Sequence, residues 1–193
     1  MNITERNERP SLEETRQEIM RLQKRKQSKK TVQHIFFTLL GIAAIAVLAA
    51  TLWLPILQVY GNSMEPTLKE GDIVLLVKGK EPANGDLVGF YYNNKILIKR
   101  IIAHAGQYVD IKEDGTVFVD GKEQKESFIS EKSLGECDIT FPYQVPDGRY
   151  FVMGDQRATS VDSRSGKVGD IAEEQVIGTL IFRVWPLSKS NKL

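Results

Sequence analysis

Between Thr31 and Asn62 the chain carries no Asp, Glu, Lys or Arg. Within this stretch, Ile35–Leu54 is apolar enough and long enough to decide the architecture. Its 20 residues would form a helix of about 30 Å, the thickness of a bilayer's hydrocarbon core. Eleven of them are Leu, Ile, Val or Phe, each favourable to insertion, and no charge opposes them. A buried core helix and a cleaved signal peptide are the competing readings. A core helix of this length and uniformity is uncommon, and a signal peptide has a shorter apolar region behind a shorter basic leader. Ala44-Ile45-Ala46 resembles a cleavage site but lies in mid-span. Pro55 stands where the helix should leave the bilayer. The expected span is therefore residues 32–57.

Charge orients it. Residues 1–34 hold nine Lys or Arg against five Asp or Glu, a net of +4, and the remainder holds 17 against 20, a net of −3. Six of the eleven residues from Met20 to Lys30 are basic and none is acidic. Basic flanks stay on the cytoplasmic side, so residues 1–31 are expected inside and residues 58–193 outside the cell membrane. Ser11 and Glu14 fit a capping box, which predicts a surface helix over 11–30. No uniform basic surface for nucleic acid exists. A lone cysteine, Cys137, precludes an internal disulfide and reads as an inert small residue.

Past the span the period changes to two. Ile73–Val77, Asp86–Tyr92, Ile96–Ile102, Tyr108–Lys112, Thr116–Val119, Tyr150–Met153 and Ile177–Val184 read as strands. They are punctuated by Asn93-Asn94, Glu113-Asp114-Gly115 and Asp120-Gly121. A brief helical turn is expected near Glu173–Val176. The fold class is mostly β, one domain behind one membrane helix, with a peripheral insert at about 108–148, least patterned over Lys122–Asp147.

Two residues stand out chemically. Ser63 lies in a turn-rich segment just beyond the span, where a serine is ordinarily only a turn residue. Lys99 lies in Ile96-Leu97-Ile98-Lys99-Arg100-Ile101-Ile102, apolar on both faces. A lysine in a strand usually points to water, but a buried one loses basicity, which is what a lysine general base requires. His34 borders the span on the wrong side, and His104 reads as a partly exposed strand-end residue. Neither metal-ligand spacing nor a phosphate-binding loop is present, so no metal or cofactor is implied. Asp155 and Asp162 are each followed two residues later by Arg157 and Arg164, the simplest expectation being local ion pairs.

Four segments together resemble type I signal peptidases, Ser–Lys dyad proteases, of the Gram-positive bacterial type. They are Gly61-Asn62-Ser63-Met64-Glu65-Pro66-Thr67-Leu68, Gly71-Asp72-Ile73-Val74, Lys99-Arg100, and Met153–Arg157 with Ser160–Arg164. The resemblance runs across roughly residues 35–186. It implies Ser63 as nucleophile, Lys99 as base and Ser160 as the hydroxyl orienting the lysine. It further implies Asp155, Arg157, Asp162 and Arg164 as braces, and Val59, Met64, Leu68 and Ile98 as walls of small pockets selecting Ala-x-Ala. Substrates would be signal-peptide-bearing precursors, the surroundings a lipid bilayer, and the secretion translocase a candidate partner. Gly61 departs from members that place a serine there as an oxyanion donor. Gln156 and Thr159 stand where asparagine is usual, and Ala103–Gln107 replaces a common Gly-x-Pro-Gly-Asp. Self-cleaving repressors share the dyad but carry no span. A catalytically impaired, membrane-tethered module that binds signal sequences or envelope proteins is the alternative from another class.

Overall fold

The computed structural model describes residues 12–193. The chain divides into two compact units, one ending at Ala50 and one running from Thr51 to Leu193.

The first unit is dominated by α1, a continuous helix over Leu12–Trp53. At 1.5 Å per residue its 42 residues measure about 63 Å. The helix runs on through Thr31, the expected boundary between the cytoplasmic segment and the span. No break occurs at Thr31, because nothing between Leu12 and Leu40 is Pro or Gly and most residues there are good helix formers. The helix itself ends at Trp53. Pro55 cannot continue the helical hydrogen bonding and disfavours helical backbone at Leu54 before it. The Ser11 half of the capping box lies outside the described residues. An 18-residue window of α1 has a mean hydropathy of 2.5, and none of it is buried by protein. A helix that leaves Phe36, Leu39, Ile45 and Leu48 bare along its length suits lipid rather than water.

The second unit contains two sheets. Its strands are β1 (Ile56–Gln58), β2 (Ile73–Val77), β3 (Leu87–Tyr92), β4 (Lys95–His104), β5 (Tyr108–Ile111), β6 (Val117–Val119), β7 (Lys122–Glu123), β8 (Tyr143–Gln144), β9 (Arg149–Met153), β10 (Ile171–Ala172), β11 (Val176–Trp185) and β12 (Asn191–Lys192). The larger sheet runs β1-β2-β11-β3-β4-β9-β10, with β12 also pairing β11. The smaller runs β7-β6-β5-β8 and lies entirely within Tyr108–Gln144. Short turns of 3-10 helix occupy Glu173–Gln175 and Leu187–Lys189. All ladders are antiparallel.

Three apolar clusters hold the sheets. Val59, Met64, Leu68, Val74, Leu76, Leu87 and Leu180 form one. Val88, Phe90, Ile101, Tyr150, Val152 and Ile171 form another. Ile102, Ala103, Phe151 and Met153 pack against Val109, Ile111, Val117 and Val119, tying the smaller sheet to the larger.

Two edges bear on function. Among the described residues β1 pairs only with β2. β4 pairs with β3 from Lys95 to Arg100, but with β9 only from Arg100 onward, so Lys95–Lys99 leave one side unpaired.

Candidate active site

Ser63 is presented by a turn anchored from below. Met64 and Leu68 are buried, the Leu68 N–H donates to the Met64 carbonyl at 2.8 Å, and Glu65 closes on Asn62 at 3.0 Å. Arg183 on β11 ties the same turn down, donating to the Thr67 carbonyl at 2.7 Å and pairing with Asp72 at 3.2 Å. This leaves the half-buried Ser63 side chain facing an open groove of about 830 Å3. The Ser63 N–H and hydroxyl each lack a protein partner among the described residues, whereas its carbonyl accepts from the Gln156 N–H at 3.0 Å.

Lys99 sits mid-strand on β4, opposite the fully buried Val88, and is 3% exposed. Its amine donates to Ser160 Oγ at 2.8 Å. Burial lowers its pKa to about 8, the nearby Asp162 and Asp155 carboxylates opposing that shift and Arg164 adding to it. At pH 7 about one such amine in ten is neutral, against one in a few thousand for an ordinary lysine.

Gly154 brings the Ser63 turn and the Ser160 loop together. A methyl group on it would lie 2.1 Å from Ser160 Oγ and 2.6 Å from the Ser63 carbonyl oxygen. No side chain fits between them, so only glycine permits this approach. The Gly154 N–H donates to Asp162 at 2.9 Å, and its carbonyl accepts from Arg157 Nε at 3.1 Å.

The charged groups around this point are paired, though not all as the sequence suggested. Asp162 and Arg164 form the expected local pair, at 2.8 and 2.9 Å. Burial pushes the Asp162 carboxyl up, but the bonds and charge of Arg164 and the Gly154 N–H outweigh it and hold the group below the usual carboxylate range. Asp155 and Arg157 do not pair with each other. Asp155 takes both prongs of Arg100, at 2.8 and 2.6 Å, because the β4–β9 register sets Arg100 opposite Met153, two residues before it. Arg157 instead meets Glu126 of the insert, at 3.0 and 2.5 Å.

Val59, Met64 and Ile98 line the groove with Ser63. Leu68 does not; it is wholly buried in the cluster behind them. The groove continues past Ile56, Leu57 and Tyr60 on one side and Ile96 and Lys95 on the other. Gly61 also lines it, with a φ of 77° that disfavours any side chain there. His104 is half-buried, edge-on to Tyr150. Cys137 is half-buried and free. Among the described residues no group of three or more His, Cys, Asp or Glu could hold a metal ion.

Sequence reasoning missed Glu126, Gly154 and the Asp72–Arg183 pair. Gly154 and Asp72 sit inside segments that the resemblance had marked, whereas Arg183 lies in a strand outside them and Glu126 in an unpatterned stretch, neither of which gave a signal.

A family model described as signal peptidase, peptidase S26, matches residues 29–185. The chain belongs to this signal peptidase family. It is 34% identical over 167 residues to signal peptidase I of Bacillus licheniformis, covering 80% of this chain and 88% of that one. With signal peptidase I T of Bacillus subtilis (strain 168) it shares 34% over 147 residues, 69% of this chain and 75% of the relative. Thylakoidal processing peptidase 1, chloroplastic, of Arabidopsis thaliana is 36% identical over 145 residues, which are 66% of this chain but only 41% of the longer plant protein. A crystal structure of a signal peptidase I from Enterococcus faecalis V583 aligns at 28% identity with a TM-score of 0.43, over 52% of this chain and 97% of that one. As a signal peptidase of this family, the chain is a serine endopeptidase.

Proposed function

We propose that this signal peptidase cuts signal peptides from precursor proteins after small residues, with Ser63 as nucleophile and Lys99 as general base. The observation that carries the reading is the buried Lys99 amine, lowered to a pKa of about 8 and held at 2.8 Å by Ser160.

In this mechanism the neutral amine takes the proton from Ser63 Oγ as the oxygen attacks the scissile carbonyl. Ser160 orients the amine, and the free Ser63 N–H donates to the oxyanion. The lysine then protonates the leaving amine, and later activates the water that releases the acyl-enzyme. The Lys99 amine donates to Ser160 rather than to Ser63 Oγ, and the proton transfer requires the hydroxyl to come within about 3 Å of the amine. The four braces Asp155, Arg157, Asp162 and Arg164 keep the Ser160 loop in place.

The substrate lies extended in the groove, its backbone adding to the free edges of β1 and the first half of β4. In this reading Val59, Met64 and Ile98 are the walls of shallow pockets that accept small side chains, which favours Ala-x-Ala before the cut. The chain comprises a basic cytoplasmic segment, a membrane helix and an outer catalytic domain bearing the smaller sheet as an insert. The anchor holds the groove where a translocated precursor emerges, beside the secretion translocase.

The test is cleavage of a precursor by the purified full chain in detergent. Ser63→Ala and Lys99→Ala should each abolish it, and the parent's rate should rise with pH through about 8. Undiminished cleavage by either variant sinks the dyad.

A further inference from the structure

The insert touches the site at three of its arginines. Glu126 grips Arg157 through both carboxylate oxygens, and the pair's side chains are 3% and 0% exposed. The Phe128 ring lies 3.9 Å from the Arg100 guanidinium and 5.9 Å from that of Arg157. Arg164 sends one nitrogen to the carbonyls of Ser133 and Leu134, at 3.2 and 2.7 Å. Its remaining N–H groups go to Asp162 and the Ser160 carbonyl, so all five of its donors are used. Gly135 packs so closely that a methyl there would lie 2.4 Å from the Arg157 carbonyl oxygen.

These contacts converge on Gly154. With two guanidinium nitrogens fixed by Glu126, the Arg157 Nε is aimed at the Gly154 carbonyl. Gly154 is the residue against which Ser160 Oγ and the Ser63 carbonyl meet. A shift of its backbone would therefore change the separation between the nucleophile turn and the hydroxyl that holds Lys99. None of these insert residues lines the groove.

We propose that Glu126 is a positioning residue for the Ser63–Lys99–Ser160 arrangement, acting from the insert through Arg157 and Gly154. Phe128 assists by capping the two arginines. This rests on the catalytic roles proposed above. It gives the smaller sheet a function: it carries the loop that holds the catalytic geometry, leaving substrate binding to the groove.

The test measures kcat and KM for a peptide carrying an Ala-x-Ala site, using the purified full chain in detergent, with rates normalised to folded enzyme by near-ultraviolet circular dichroism. For Glu126→Gln, kcat is expected to fall about ten- to hundred-fold, because small misplacement of reacting groups is costly. KM should stay within about two-fold, since ground-state binding is untouched. Phe128→Leu, which leaves every ion pair in place, should lower kcat about three- to ten-fold with the same unchanged KM. Glu136→Gln, which breaks an exposed insert pair with Lys167, should match the parent. A folded Glu126→Gln with parental kcat, a loss expressed wholly in KM, or a loss accounted for by unfolded enzyme would each overturn the proposal. If Glu126→Gln does not fold, Phe128→Leu is judged by the same criteria. Ser63→Ala is assayed alongside. If it stays active the catalytic reading fails, whereas an inactive Ser63→Ala beside a parental Glu126→Gln removes only the positioning role.

Discussion

The Lys99 amine donates to the Ser160 hydroxyl at 2.8 Å in a place where neither residue is more than 3% exposed. A single hydroxyl is a poor substitute for the water an ammonium group loses, and the lysine therefore holds its proton weakly. The same weakness that suits a base is a burden on the folded state.

That burden is measurable. The folded pKa is about 8 and the ordinary value 10.5, so between these pH values the unfolded chain binds more protons than the folded one. Stability therefore rises with pH across that window, and below pH 8 the full cost, about 3 kcal/mol, is present. Lys99→Met keeps the volume and removes the charge, while losing one hydrogen bond. It is expected to be inactive yet more stable than the parent by about 1–2 kcal/mol at pH 7. The advantage should shrink as pH approaches 10.5. Denaturant unfolding of the β unit in the full chain, at pH 7 and pH 10, checks both the sign and the trend; a variant less stable at pH 7 would contradict it.

Asp162 has two separable effects. Its carboxylate raises the Lys99 pKa against the effect of burial, so Asp162→Asn should move the acid limb of the pH–rate profile below about pH 8. The substitution also leaves the buried Arg164 without its charge partner, at a cost of about 3–5 kcal/mol. A pH–rate profile recorded below the variant's melting temperature separates the two. An acid limb displaced upward would show that Asp162 does not act on the amine electrostatically.

Much of this was legible in the sequence, and the exceptions have physical reasons. Ile73–Val77 reads as a strand from its apolar run and flanking turns, and it is β2 to the residue. The burial of Lys99 follows from apolar neighbours on both faces of its strand. β1 was hidden because Ile56 and Leu57 extend the apolar run of the helix, and only Pro55 marks the change. The partners of Asp155 and Arg157 were hidden for another reason. Residues two apart look like natural pairs, but Arg100 reaches Asp155 through cross-strand register and Glu126 reaches Arg157 through a loop. The smaller sheet contains two-residue strands such as Lys122–Glu123, too short to show any period.

Gly154→Ala tests the close approach of the two loops. The added methyl would overlap the Ser160 side chain and, at 2.6 Å, the Ser63 carbonyl oxygen, which is backbone and cannot simply rotate away. Overpacking of this kind costs about 1–3 kcal/mol. Cleavage should fall on the order of a hundred-fold as the reacting groups separate. Gly166→Ala is the matched control, because its methyl would meet nothing closer than Asp138 at 3.5 Å. Comparable losses in both variants would mean that glycine flexibility, not this contact, matters.

Ile98 and Leu68 were both expected to shape the pockets, and their placements now separate them. Ile98 is half-buried and lines the groove, while Leu68 is wholly buried behind it. Ile98→Ala should enlarge the groove at little cost to stability, and should raise kcat/KM for a peptide with Val or Leu in place of one alanine of Ala-x-Ala. The gain relative to the Ala peptide is expected to be about ten- to hundred-fold, the range that a few methylenes can supply. Leu68→Ala should cost about 2–5 kcal/mol of stability through its cavity. It should leave the preference between the two peptides as in the parent. Competition between the Ala and Val peptides, read by product ratio, decides the matter: an unchanged ratio in Ile98→Ala would place selection elsewhere in the groove, and a changed ratio in Leu68→Ala would mean that the core behind it sets the pocket's depth.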